Sequence, residues 1–155
     1  MKREGRWEAQ VQLVKRIARI TTRVLPAGNG VALRFINQDP GNLDNLSLQE
    51  IGDAMEKMSW KPRGDTAIGT YLKSRILEPM IYSQLQQKTL ARPYLISVMT
   101  DGMPSQEKDE EFVEAIKECG TKLQQAGYPR ESEYIHPSIS TLIYMGRLAH
   151  ALLIS

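Results

Sequence analysis

Arg92-Pro93-Tyr94-Leu95-Ile96-Ser97-Val98-Met99-Thr100-Asp101-Gly102 is the stretch on which the reading of this chain turns. A run of apolar and β-branched residues this continuous suits a strand covered on both faces by helices, not one with a wet side. Asp101-Gly102 ends it with turn chemistry. Upstream, Val31-Ala32-Leu33-Arg34-Phe35-Ile36-Asn37 has the same character, released by Gly30 and closed by Asp39-Pro40-Gly41-Asn42.

Helical patterns surround both strands. Trp7 to Leu25 repeats apolar residues on one face, with Trp7, Val11, Val14, Ala18 and Leu25 in line. Ser47-Leu48-Gln49-Glu50 is a capping box that opens a second helix through Ile51, Ala54, Met55 and Met58. A third carries Ile68, Leu72, Ile76 and Met80 near one face, and Pro79 is expected to kink or end it. Glu107 to Ala126 reads as a fourth, its acidic start complementing the helix dipole and bathed in solvent. Strands alternating with helices imply an α/β fold with three layers around a doubly wound, mainly parallel sheet. Ligands of such sheets sit beyond the carboxyl ends of the strands, where Asp101 and the Gly64 to Thr70 loop are expected.

Composition narrows the function classes. The chain has 155 residues, 41% hydrophobic and 25% charged, which suits one globular domain with its own core. A formal net charge of +2 does not advertise nucleic acid as a partner. The single cysteine, Cys119, makes neither an internal disulfide nor a thiolate zinc site. The first apolar run is broken by Lys15, Arg16 and Arg19, so it lacks the core of a signal peptide. No stretch reaches the roughly 20 apolar residues of a membrane helix. A cytoplasmic protein without a membrane partner is the expectation. The basic stripe of the first helix reads as a solvated face. His136 and His150 are too few for a zinc centre. No phosphate loop, dinucleotide glycine pattern or nucleophile elbow occurs, so an enzyme is not expected.

Two segments carry a family resemblance. Arg63-Gly64-Asp65-Thr66-Ala67-Ile68-Gly69-Thr70-Tyr71-Leu72 is followed by Leu95-Ile96-Ser97-Val98-Met99-Thr100-Asp101-Gly102-Met103-Pro104. Together they resemble the fourth and fifth blocks of a von Willebrand factor type A domain, in which a Gly-x-Thr-x-x-Gly-Thr loop opens a helix and a later strand ends in Thr-Asp-Gly-x-Pro. Glu78-Pro79 and Gly127-Tyr128-Pro129 look like the intracellular branch common in fungi. The resemblance covers residues 1–130 as a partial domain. Residues 131–155 form a divergent carboxyl-terminal segment, with one strand expected at Ser138 to Met145 and one helix at Gly146 to Ile154.

The resemblance implies protein–protein binding through a metal-ion-dependent adhesion site, with a partner's acidic residue completing the shell of a Mg²⁺ ion. Thr66 looks like the family's threonine ligand and Asp101 like its second aspartate. Asp65 and Ser105 are close enough in sequence to line the rim. The family's Asp-x-Ser-x-Ser turn does not occur in the sequence. The chain opens at the residue the family places after that turn. The first strand is therefore expected to be missing as well, leaving a gap between the two apolar strands. The implied site is degenerate, with Mg²⁺ weak or absent. The alternatives are a metal-free scaffolding module and, as the weakest, a hydrolase.

Overall fold

The computed structural model describes residues 4–25, 28–36, 38, 40–41, 43–58, 66–90, 94–100, 106–108, 110–128, 134–136, 140–144 and 149–154. Its elements are α1 (Glu4–Val24), β1 (Val31–Phe35), α2 (Leu48–Lys57), α3 (Ile68–Leu72), a π-helical stretch (Lys73–Tyr82), α4 (Ser83–Gln86), β2 (Tyr94–Met99), α5 (Glu111–Gln125), β3 (Tyr134–His136), β4 (Ser140–Tyr144) and β5 (Ala149–Ile154). The strands form one sheet in the order β1-β5-β2-β4-β3. β1, β5 and β2 are parallel, while β4 runs antiparallel to β2 and β3 antiparallel to β4.

The alternation of β1 decides which helices cover which face. Val31, Leu33 and Phe35 point into a cluster with Val14 and Ala18 of α1 and Ile51 and Met55 of α2. Ala32 packs on the other side, with Ile96 and Val98 of β2, Ile76 and Ile81 of the π stretch, and Ile116 and Cys119 of α5. Side chains two apart on a strand share a face, so one five-residue strand anchors both layers. Among the described residues, no helix is long and apolar enough to cross a membrane.

The slot between β1 and β2 is not a gap. β5 lies in it, parallel to both, with Ala151 opposite Ala32 on one side and Ile96 on the other. A helix was the expectation for Gly146 to Ile154, and this is a correction. Ala149-His150-Ala151-Leu152-Leu153-Ile154 has almost no polar face. Such a run cannot be told from a strand by periodicity alone. Here two parallel strands each leave a row of backbone groups to be paired, and a strand satisfies both rows where a helix satisfies neither. The expected strand at Ser138 to Met145 corresponds to β4, and β3 was not anticipated.

Among the described residues β1 has β5 as its one strand neighbour, and its outer edge is covered by the segment before α2. Leu33 N donates to the Leu43 carbonyl at 2.8 Å, and Val31 and Leu46 exchange two backbone hydrogen bonds of 2.9 Å. Gly30 makes this approach possible. A Cβ there would lie 2.3 Å from the Asn45 carbonyl carbon. The Asn45 side chain in turn accepts from Gly30 N at 2.6 Å. An edge strand covered in this way offers no template to another chain.

Pro79 neither ends nor visibly divides its helix. The helix widens to π geometry across Lys73–Tyr82 and returns to α at Ser83, whose N–H reaches the Glu78 carbonyl five residues back. A proline ring clashes with the carbonyl four residues before it in an α-helix. The wider π turn moves that carbonyl away. The capping box is present as read: Ser47 Oγ accepts from Glu50 N at 3.3 Å and Glu50 Oε2 from Ser47 N at 2.8 Å.

Candidate functional site at the carboxyl end of the parallel strands

β1, β5 and β2 end in one row, with Phe35 opposite Ile154 and Ile154 opposite Met99. Thr66 is half-buried just before α3, and its carbonyl accepts from Ile68 N at 3.0 Å. Ala67 occupies the cap position of α3 and has no side chain to satisfy the free amides of the first turn. Glu107 does so instead. Its Oε1 accepts from Gly69 N at 3.0 Å, and its Oε2 accepts from Thr70 N at 3.0 Å and from Thr70 Oγ1 at 3.1 Å.

This bond set explains the Gly69-Thr70 pair. A Cβ on Gly69 would sit 2.5 Å from Phe112 N and 2.6 Å from the Glu111 carbonyl carbon. Only glycine lets the first turn of α3 close on the start of α5. Thr70 then gives the Glu107 carboxylate a third donor. The segment after β2 is thereby fastened to the segment carrying Thr66. The sequence reading placed Glu107 in the solvated first turn of its own helix. That helix begins at Glu111, and Glu107 caps a different one. Nothing local to Glu107 signals a partner 38 residues upstream. The signal, visible in hindsight, is the lack of any Ser, Thr, Asp or Asn at the cap position of α3.

Arg75 closes the adjacent corner. Its Nη1 donates to the Phe35 carbonyl, the last of β1, and to the Gln38 carbonyl at 2.7 Å. Its guanidinium lies 4.5 Å from the centre of the Tyr71 ring. Beside it is a cleft of about 190 Å³ lined by Leu33, Arg34, Gln38, Pro40 and Pro79 among others. Arg34 is held in place there by Asp44 and by the carbonyls of Leu33, at 3.0 Å, and Leu43, at 3.3 Å. Further along the helix Lys73 and Lys122 each lie 2.7 Å from Glu118. Hydrogen bonds from Lys122 and then Lys73 hold the Glu118 carboxyl below the usual range, and the Glu118 hydrogen bond raises Lys73.

Of the residues expected at the site, Thr66 is described and stands at this end of the sheet. Asp65, Asp101 and Ser105 lie outside the described residues. Mg²⁺ takes six oxygens, one or two of them carboxylate and several of them water. The carboxylate that the structure brings to this loop is Glu107, and both its oxygens are engaged by α3. No cluster of three or more His, Cys, Asp or Glu side chains able to hold a metal occurs among the described residues. The described donors by themselves do not fit the implied ion. No protein-family model, curated protein or solved structure matches the chain.

Proposed function

We propose that this chain is a protein-binding module resembling a von Willebrand factor type A domain, not an enzyme, and that it binds through the carboxyl end of β1, β5 and β2. The supporting observation is the Glu107 clamp. It joins the start of α3, just after Thr66 in the chain, to the segment after β2. The partner is a protein offering an acidic residue, met in the cytoplasm without nucleic acid or membrane. In this reading Thr66 and Asp101 are the residues that the resemblance implies for recognising it, with Asp65 and Ser105 as further candidates.

The second reading is a metal-free scaffolding module, in which the partner is not held through an acidic residue, and the same clamp favours it. Both oxygens of the Glu107 carboxylate are already engaged by α3, so this carboxylate is not left over as a ligand for a divalent cation. Titration calorimetry of the whole chain with Mg²⁺ should give no binding heat near physiological concentration. Tight binding abolished by Thr66→Ala or Asp101→Ala would overturn the metal-free version. Protein binding itself is tested with a panel of peptides differing by one Asp or Glu. Their binding should fall with Thr66→Glu, which sets a like charge against the partner's acidic residue, and should not change with Lys122→Ala in the last turn of α5. A panel in which no peptide binds, or in which both substitutions act alike, would count against the site.

A further inference from the structure

The outer face of the α1–α2 layer, remote from the proposed rim, carries two opposite ribs of charge. On α1, Arg16, Arg19 and Arg23 are all exposed. From Gln12 to Arg23 the helix has no carboxylate. On α2, Glu50, Asp53 and Glu56 are all exposed, with Lys57 at the end of the rib. The two helices share one buried cluster, and Lys15 Nζ meets Glu56 Oε1 at 3.2 Å across their seam, so the ribs lie side by side.

Aliphatic side chains stand among these charges. Ile20 is 67% exposed, Leu13 39% and Leu48 38%, three of the four large hydrophobic residues left exposed among the described residues. Leu13 and Ile20, two turns apart beside the arginine rib, mark a covered surface more than a solvated one. The charge pattern says what covers it. A polyanion attracted to the arginine rib would meet the carboxylates of α2, and an acidic peptide would leave the α2 rib unmatched. A surface with the same two ribs matches both.

We propose that this face docks a second copy of the chain about a two-fold axis running between the ribs. The axis lays α1 of each copy over α2 of the other. Each arginine rib then faces a carboxylate rib, and Leu13 and Ile20, on the flank of α1 away from the Lys15–Glu56 seam, lie at the outer side of the contact. A two-fold interface repeats every contact, so one complementary pair of ribs gives two sets of ion pairs. Arginine's planar fork suits carboxylates better than lysine's single ammonium.

The test is sedimentation equilibrium of the full chain, with charge reversal on each rib. The wild-type chain should show a monomer–dimer equilibrium whose dissociation constant rises about tenfold or more between roughly 50 mM and 500 mM salt, as exposed charges are screened. Arg16→Glu/Arg19→Glu should be monomeric, and so should Asp53→Lys/Glu56→Lys. Both should keep the wild-type circular dichroism spectrum and a cooperative melting transition. Mixing the two variants should restore a dimer, because each reversed rib then meets its opposite. A wild-type chain that stays monomeric at low salt overturns the proposal. So does a chain that is monomeric and sediments with phosphatidylserine vesicles, or a dimer that both variants retain. If a variant loses its fold, the single changes Arg16→Glu and Asp53→Lys carry the same mixing test.

Discussion

Proline at Ala151 probes the placement of β5 directly. Ala151 is the central residue of the pairing, opposite Ala32 of β1 and Ile96 of β2. Proline there removes one amide donor and strands the carbonyl that it served, which costs about 1–3 kcal/mol when that carbonyl is buried. The ring also fixes φ near −65°, well away from the roughly −120° of a parallel strand. Together these effects should cost about 3–5 kcal/mol, taking the interior-proline penalty as a guide. A domain has about 5–15 kcal/mol in all, so at least about a fifth of its stability goes. At this chain length each kcal/mol lowers the melting temperature by about 2–4 °C. Thermal unfolding followed by circular dichroism should therefore show a fall of roughly 6–20 °C. Removal of residues 146–155 should go further and leave no cooperative transition. An Ala151→Pro chain that melts within about 1 °C of its parent would refute the reasoning and place β5 outside the sheet.

Glu107→Ala removes three hydrogen bonds at the start of α3 and should lower urea stability by about 2 kcal/mol, with Glu107→Gln intermediate because one acceptor oxygen remains. Gly69→Ala drives a methyl group into the backbone of Phe112 and should cost about 1–3 kcal/mol as an overpacked contact, read from the urea midpoint. Ser47→Ala should cost about 1 kcal/mol through the lost cap. Hydrogen bonds from Ser47 hold the Glu50 carboxyl below its ordinary value, so Glu50 stabilises the fold above the usual glutamate range and that contribution fades as pH falls through its folded value; Glu50→Gln should flatten this part of the acid unfolding curve. Burial, with Cys119 and Glu118 nearby, raises the Tyr82 hydroxyl well above an ordinary tyrosine. Its contribution is intact below the usual tyrosine range and is lost as pH rises, so the ultraviolet titration difference between the parent chain and Tyr82→Phe should appear only where the chain unfolds in base.

Local rules were enough for the amino-terminal two-thirds of the chain. The 3.6-residue spacing of Val11, Val14 and Ala18, the Ser47–Glu50 box and the apolar runs of β1 and β2 are short-range signals, and each corresponds to an observed element. They depend on a residue and its near neighbours, which is why a sequence carries them. The Thr66 loop was also legible as a helix start, although Pro79 misled, since a sequence does not announce that a helix will widen to admit a proline. What lay beyond reach was every feature set by distant partners. Glu107 reads as one acid in an acidic run, and only the packing of α3 on α5, permitted by Gly69, turns it into a cap. Ala149 to Ile154 is apolar enough for a helix or a strand. The choice was made by β1 and β2, whose facing rows of backbone donors and acceptors are satisfied by a strand lying between them.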